Sequence, residues 1–395
     1  MKQPEGFLQP GFEDHICKLV HMIYGMMQGA HDWYETLTNT YDKLGYTTSC
    51  ADPCVRYKKE DGGYTLTNTY TDDIFGASKM DGEVRKRKNE MEQEWEIKDV
   101  GENDYFLGMR VQQDIDKGTI RLMQRPYWEH VLNRFDLMDI TPRNTPLPVG
   151  FTVDQNMSPK TDSEKKEMAS KPYRPVLGSV MWGQLATRPD LLFAVSLLAH
   201  FQADPGIEHW KGLLHDIGYI KNTMDYSLTY SRDADLTPLT YVDADYGGCK
   251  DTRQSTSGYV FMMAGGAVTW SSKRQATAAL STVEAEYVEA EYVAMSRCAQ
   301  QMVWMQTWLD EVEIEHNKPG IIRGDSRGAI ALAKTTKDHR KVKHIDIRHH
   351  YLHELVKSGA VLFEQIPSAD NLADLFTKPL ARDHHYCFLA ALKIF

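Results

Sequence analysis

Four acids stand where the chain is predicted to pass between secondary-structure elements: Asp243 in YVDADYGG, Glu286 in STVEAEY, Asp325 in RGDSRG and Asp374 in ADNLADLFTKPL. Asp243 ends a predicted strand, Glu286 opens a long predicted helix, Asp325 ends a later strand and Asp374 follows the last one. A mixed sheet can bring such ends together. Four like charges gathered in one place repel unless cations bind among them. Two magnesium or manganese ions about 4 Å apart can activate a water and stabilise the leaving oxygen of a phosphodiester. Asp245 competes with Asp243, because period 2 along a strand points both at one face. The tandem VEAEYVEAEY at residues 283–292 offers Glu291 as the alternative to Glu286. Five extra helical residues turn everything downstream by about 140°, so the two copies cannot both face the site. A cap at Ser281 or Thr282 and a short link to the preceding strand favour Glu286 narrowly. Burial of the apolar face around Trp304 and Leu309 favours Glu291.

Two further groups invite chemistry. Asp72 and Asp73 are adjacent in TYTDDIFGAS, where a strand is predicted to end; paired carboxylates on a tight turn can hold metals for nucleotidyl transfer. His349, His350, His353 and Glu354 suggest zinc, since His349 and His353 at i and i+4 share a helix face, but His350 stands where a zinc protease carries its general-base glutamate. Lys334, Lys337, Arg340, Lys341, Lys343 and Arg348, set against only Asp338 and Asp346, form a basic run suited to phosphates.

The elements that must position these residues emerge from periodicity. Helix-like spacing covers residues 13–45, and strands at 55–58 and 64–70 pair as a hairpin across Asp61, Gly62 and Gly63. A charged helix at 82–97, a strand at 105–111 and a helix at 127–135 come next. Residues 141–171, Pro-rich and then charged, read as a surface linker. A helical block at 173–222 gives way to short strands at 239–243, 259–263 and 268–272. A long helix at 282–312, a strand at 321–324, helices at 329–334 and 345–357 and a strand at 361–366 complete a mixed sheet flanked by helices. The hexapeptide TLTNTY occurs at residues 36–41 and again at 65–70, once in a predicted helix and once in a predicted strand.

At 395 residues, the chain exceeds what one core usually organises. Its 42% hydrophobic and 25% charged residues are ordinary for a globular protein. A net charge of −10 argues against a coat of basic residues for non-specific nucleic-acid binding. The six cysteines are scattered, with only Cys50 and Cys54 close together, which favours reduced thiols. The absence of a long apolar run or a leader-like start leads to the expectation of an intracellular protein, nuclear or cytoplasmic, with no membrane partner.

The blocks YVDADYGGCKDTRQSTSGYVFMMAGGAVTWSSKRQATAALSTVEAEY, RGDSRGAIALAK, KHIDIRHHYLHELV and IPSADNLADLFTKPL resemble, in order, the ribonuclease H domain of copia-type retrotransposon polyproteins. Upstream, IYGMMQGAHDWYETL with Gln28, TYTDDIFGAS, IKDVGENDYFLGMRV and RLMQRPYWEHVLNRF resemble that family's reverse transcriptase, and ATRPDLLFAVSLLAHF resembles its connection region. The resemblance implies a mixed α/β fold. It consists of a ribonuclease H-like five-stranded mixed sheet with flanking helices, preceded by a truncated α+β reverse transcriptase palm, thumb and connection. The corresponding domains are 1–140 palm and thumb, 141–172 linker, 173–235 helical connection, 239–380 ribonuclease H-like domain and 381–395 tail. It implies Asp243, Glu286, Asp325 and Asp374 as ligands of two Mg2+ or Mn2+ ions, with Asp243 preferred over Asp245 on this ground alone. It also implies Asp72, Asp73 and Gln28 as the polymerase remnant, and Lys337, Arg340, Lys341, Lys343 and Arg348 as contacts to an RNA/DNA hybrid. Other retrotransposon proteins are further partners. The family's first catalytic aspartate belongs to a block that precedes MKQPEGF, so hybrid cleavage without polymerisation is the expected activity. A non-catalytic nucleic-acid-binding relic and a histidine-based zinc protein are the alternatives.

Overall fold

The computed structural model describes all residues except 21, 22, 24, 61, 62, 81, 103, 277–282 and 335–345, and describes 283–287, 346, 347 and 349 by backbone alone. It comprises two compact units, Met1–Gly101 and Glu102–Phe395.

In the first unit, α1 (Gly29–Lys43) precedes a four-stranded antiparallel sheet of β1 (Thr47–Thr48), β2 (Val55–Glu60), β3 (Gly63–Tyr70) and β4 (Asp73–Ser78), and α2 (Glu83–Glu94) comes after it. Leu37, Tyr41, Tyr46 and Met91 form its core. The helix expected over 13–45 is confined to α1. Among the described residues upstream, Val20 and Met27 are exposed, and without apolar burial periodicity alone does not sustain a helix there. The β2–β3 hairpin forms as expected, with Glu60 opposite Gly63.

The second unit opens with β5 (Tyr105–Phe106), β6 (Met109–Asp114) and β7 (Thr119–Met123), then α3 (Arg125–Arg134), α4 (Asp162–Ala169), α5 (Tyr173–Ala186), α6 (Leu192–Ala199), α7 (Ile207–Asn222) and β8 (Ser227–Ser231). Strand β8 returns to pair with β7 and closes a sheet of order β5-β6-β7-β8. Residues 102–140 therefore belong with the helical block to the second unit. The expected linker is also folded in. Leu147, Val153 and Met168 are buried, the Arg143 amide donates to the Gly218 carbonyl, and Thr161 and Glu164 form a capping box at the start of α4. The prolines bend the segment, and the apolar residues among and beyond them find a face against the helices.

The remainder holds β9 (Leu239–Ala244), β10 (Thr256–Met263), β11 (Gly266–Arg274), α8 (Val283–Glu311), β12 (Gly320–Gly324), α9 (Arg327–Lys334), α10 (Asp346–Lys357), β13 (Val361–Gln365) and α11 (Arg382–Ala391). The sheet order is β11-β10-β9-β12-β13. The first three strands form an antiparallel meander, β12 runs parallel to β9, and β13 runs parallel to β12. This is the ribonuclease H-like five-stranded mixed sheet that the resemblance implies. Alternation along the strands covers both faces. Val242, Phe261 and Ile322 pack under α8, α9 and α10, whereas Val260 and Met262 pack against Leu375, Phe376 and α11. Residues 381–395 are accordingly no tail. His385, Phe388, Leu389 and Leu392 recur at helical spacing and are buried, and Ile394 bridges Leu228.

Candidate active site

Asp243 is the fifth residue of β9, opposite Gly258 of β10. Glu291 lies within α8, and Asp325 comes directly after the last residue of β12. Carboxylate oxygens of these three residues all lie within 4.8 Å of one another. Asp243 and Glu291 are buried and Asp325 is half-buried. Asp374 lies beside them in the 3-10 turn Leu372–Phe376. That turn reaches the sheet because Gly258 has no side chain: a Cβ there would meet Thr377 Cγ2 at 2.7 Å and Phe376 Cβ at 2.9 Å. The Asn371 amide donates to the Val242 carbonyl (3.0 Å) and ties the turn to β9.

The electrostatics are those of crowded acids. Burial, then the Asp374 charge and more weakly that of Asp325, push Asp243 up to about 7, against a hydrogen bond donated by the Thr377 hydroxyl and the charge of Lys378. Burial likewise raises Asp374, while Lys378 opposes it through a 2.8 Å ion pair. Asp325 Oδ1 is buried with no hydrogen-bond partner among the described residues. The donors are hard carboxylate oxygens, the type that Mg2+ and Mn2+ prefer, and Lys378, the cation paired with the group among the described residues, cannot alone neutralise four acids. The set therefore fits a divalent metal site. Thr377 and Lys378 escaped the reading of the sequence, although TK at three and four residues after Asp374 is the spacing at which a turn of helix returns side chains to one face.

Asp245 takes a different role. Its carboxylate accepts from the Thr256 backbone amide, and the Asp245 amide donates to the Thr256 carbonyl (3.0 Å). A Cβ at Gly248 would sit 1.7 Å from Asp245 Oδ2. Asp245 thus pins the end of the β9–β10 ladder, outside the three-carboxylate group.

The side chain of Glu286 lies outside the described residues, as do Lys337, Arg340, Lys341, Lys343 and the His349 side chain. Arg348 is half-buried on α10. The zinc alternative pairs His353 with His349, whose side chain lies outside the described residues. Asp72 lies in the two-residue turn between β3 and β4, and Asp73 opens β4 opposite Tyr70. Thr71 there has φ 54°, and its carbonyl accepts from Trp33 Nε1 of α1 at 2.9 Å. Both aspartates are exposed, with no third acid grouped with them among the described residues. Gln28 is exposed just before α1.

A family profile described as reverse transcriptase (RNA-dependent DNA polymerase) matches residues 1–149. The chain is 34% identical over 384 residues to the retrovirus-related Pol polyprotein from transposon TNT 1-94 of Nicotiana tabacum, covering 97% of this chain and 28% of that protein. It is 30% identical to the corresponding polyprotein from transposon RE1 of Arabidopsis thaliana, covering 97% and 25%. The chain thus spans about a quarter of the length of the curated relatives it matches. Among solved structures, LC11-RNase H1 in complex with an RNA/DNA hybrid aligns at 16% identity and a TM-score of 0.26, covering 36% of this chain and 94% of that one. Since the polyprotein matches extend through both units, from the reverse transcriptase-like segments to the acid-bearing blocks, the chain belongs to the retrovirus-related Pol polyproteins of copia-type transposons.

Proposed function

We propose that the chain cleaves the RNA strand of an RNA/DNA hybrid at the site built by Asp243, Glu291, Asp325 and Asp374. The convergence of the Asp243, Glu291 and Asp325 carboxylates within 4.8 Å carries this reading, because burying such a group without a divalent cation costs free energy that a single lysine does not return. Two divalent ions held there supply water activation and leaving-group stabilisation. The chain's own residues hold the acids in place: Thr377 orients Asp243, Lys378 restrains Asp374, and the Asn371 bridge fixes the turn on which Asp374 rides. The partner is the hybrid, met first through its phosphates and the RNA 2′-hydroxyls. Pol polyprotein relatives make other transposon proteins the expected companions.

The test uses the full chain, because the core beneath the sheet includes Leu192 and Leu228 from outside residues 239–395. With Mg2+ or Mn2+ it is expected to cleave a hybrid and leave duplex DNA intact. Asp325→Asn is expected to lower cleavage by at least about 100-fold with an unchanged circular dichroism spectrum, since it removes a ligand charge and little volume. Full activity in Asp325→Asn refutes the site. Absence of cleavage by the unaltered, folded chain supports the non-catalytic nucleic-acid-binding relic instead.

Primer extension is a separate matter. Among the described residues no third acid groups with Asp72 and Asp73, and two exposed carboxylates do not hold both metals of a polymerase, so purified chain is expected to incorporate no nucleotide on a primed template. Template-directed incorporation that disappears in Asp72→Asn is the contrary result.

A further inference from the structure

The residue immediately after β11 joins two parts of the site that are far apart in sequence. Gln275 is 4% exposed, and its backbone amide donates to the Ser255 carbonyl (2.8 Å). Its side-chain amide donates to Ser257 Oγ (2.9 Å) and to the carbonyl of Ala290 (2.8 Å). An amide NH2 has two protons to give, and these two acceptors take both. Ala290 precedes Glu291 on α8, while Ser257 precedes Gly258, the β10 partner of Asp243. One neutral side chain therefore spans from the helical turn that carries Glu291 to the strand beside Asp243.

Such a tether answers a specific difficulty. Glu291 approaches Asp243 and Asp325, and like charges push it away. A lysine or arginine could hold it, but would place a competing cation among the acids. An amide holds the helix through a backbone carbonyl and adds no charge.

We propose that Gln275 is a positioning residue that fixes the Glu291 turn of α8 against β10 and so sets the divalent-cation affinity of the site. This rests on the reading of Asp243, Glu291 and Asp325 as metal ligands. The test is Mn2+ binding to the full chain without nucleic acid, monitored by the electron paramagnetic resonance signal of free Mn2+. Gln275→Met, which keeps length and loses the donors, is expected to weaken Mn2+ binding about three- to tenfold, the range of one or two hydrogen bonds. Gln275→Asn, one methylene too short to reach both acceptors, is expected to act in the same direction and serves if the methionine variant does not fold. Thr187→Val removes a buried hydroxyl that donates to Gln124 at 2.7 Å, outside the acid cluster; it is expected to lower the unfolding midpoint and leave Mn2+ affinity unchanged. Glu291→Gln separates the two claims. If it binds Mn2+ as the unaltered chain does, the metal-site reading fails and the tether with it. If it loses Mn2+ while folded Gln275→Met or Gln275→Asn retains full affinity, only the positioning role is overturned.

Discussion

Glu291→Gln is expected to reduce hybrid cleavage by at least about 100-fold, Glu286→Gln is expected to have no effect, and deletion of residues 283–287 is expected to leave cleavage intact. The two VEAEY copies are chemically identical, so no contact made within a copy distinguishes them. The helix beyond them does. Ala294, Cys298, Ala299, Met302 and Leu309 of α8 are all fully buried, at the i, i+4 and i+7-like spacing of a core-facing stripe. Sliding the helix by five residues to bring position 286 to the site would place Glu289 where Ala294 now sits and Glu291 where the 1% exposed Ser296 now sits. Burying those carboxylates unpaired costs several kcal/mol, more than the roughly 1 kcal/mol of an N-cap. Position 286 lies about 7.5 Å along the helix and about 140° around it from position 291, so one helix cannot offer both. Cleavage lost in Glu286→Gln and kept in Glu291→Gln would show that the first copy is used. Loss on deleting 283–287 would show that the added turn is itself required.

Arg188→Met is expected to destabilise the second unit by about 3–5 kcal/mol, on the order of 10 °C in the unfolding midpoint, with most of the loss at neutral pH. Arg188 and Asp190 are both 0% exposed at their side chains and form an ion pair at 2.7 Å. The guanidinium also donates to the Thr223 carbonyl (3.0 Å) and hydroxyl (2.7 Å). The Tyr219 hydroxyl donates to Asp190 (2.7 Å), and His385 of α11 lies 2.9 Å from the Tyr219 oxygen. Burial pushes Asp190 up, but the Arg188 charge and hydrogen bonds outweigh it and hold the carboxyl below its usual range. Burial drives His385 down to about 4, so it is neutral. Without Arg188 a buried carboxylate would have no cation, and the neighbouring Asp216, whose carboxyl burial pushes well above its usual range, is an acid and offers none. A depressed carboxyl contributes stability above its unfolded pKa and loses it as pH falls through the lower, folded value. The gap between the unaltered chain and Arg188→Met should therefore narrow from pH 7 towards pH 3, as measured by chemical denaturation. A variant within 1 kcal/mol of the unaltered chain at pH 7 would mean that the pair is no more than neutral to the fold.

Much of the second unit was legible because its signals are local. Turn residues and period-2 runs mark β9, β10 and β11, while 3.6-residue spacing and a subsequent strand mark α8 and β12. Asp243 and Asp325 stand at strand ends whatever the tertiary structure does. The segments misread as linker and tail show the limit of local signals: Leu147 and Val153 lie among polar or proline-rich neighbours, and their burial depends on a face supplied by distant helices. Trp304, expected on the buried face of α8, is 39% exposed, because the stripe that packs runs through Met302, Met305 and Leu309.

TLTNTY makes the division plain. At residues 36–41 it is helical in α1, where Thr36, Thr38 and Thr40 return their hydroxyls to carbonyls four residues back. At 65–70 the same six residues are strand in β3, with Thr65 bonded to Ser78 Oγ and Thr67 to the Arg56 carbonyl. Threonine prefers neither structure strongly enough to choose; Leu37 and Tyr41 choose helix by entering the core, and β2 and β4 impose strand by pairing on both sides. By itself the sequence determined which acids exist, where along the elements most of them fall, and which family pattern they match. The tertiary structure alone decided which of two identical glutamate-bearing repeats meets Asp243 and Asp325, because burial of the helix beyond them sets its rotation, and no residue within either repeat can.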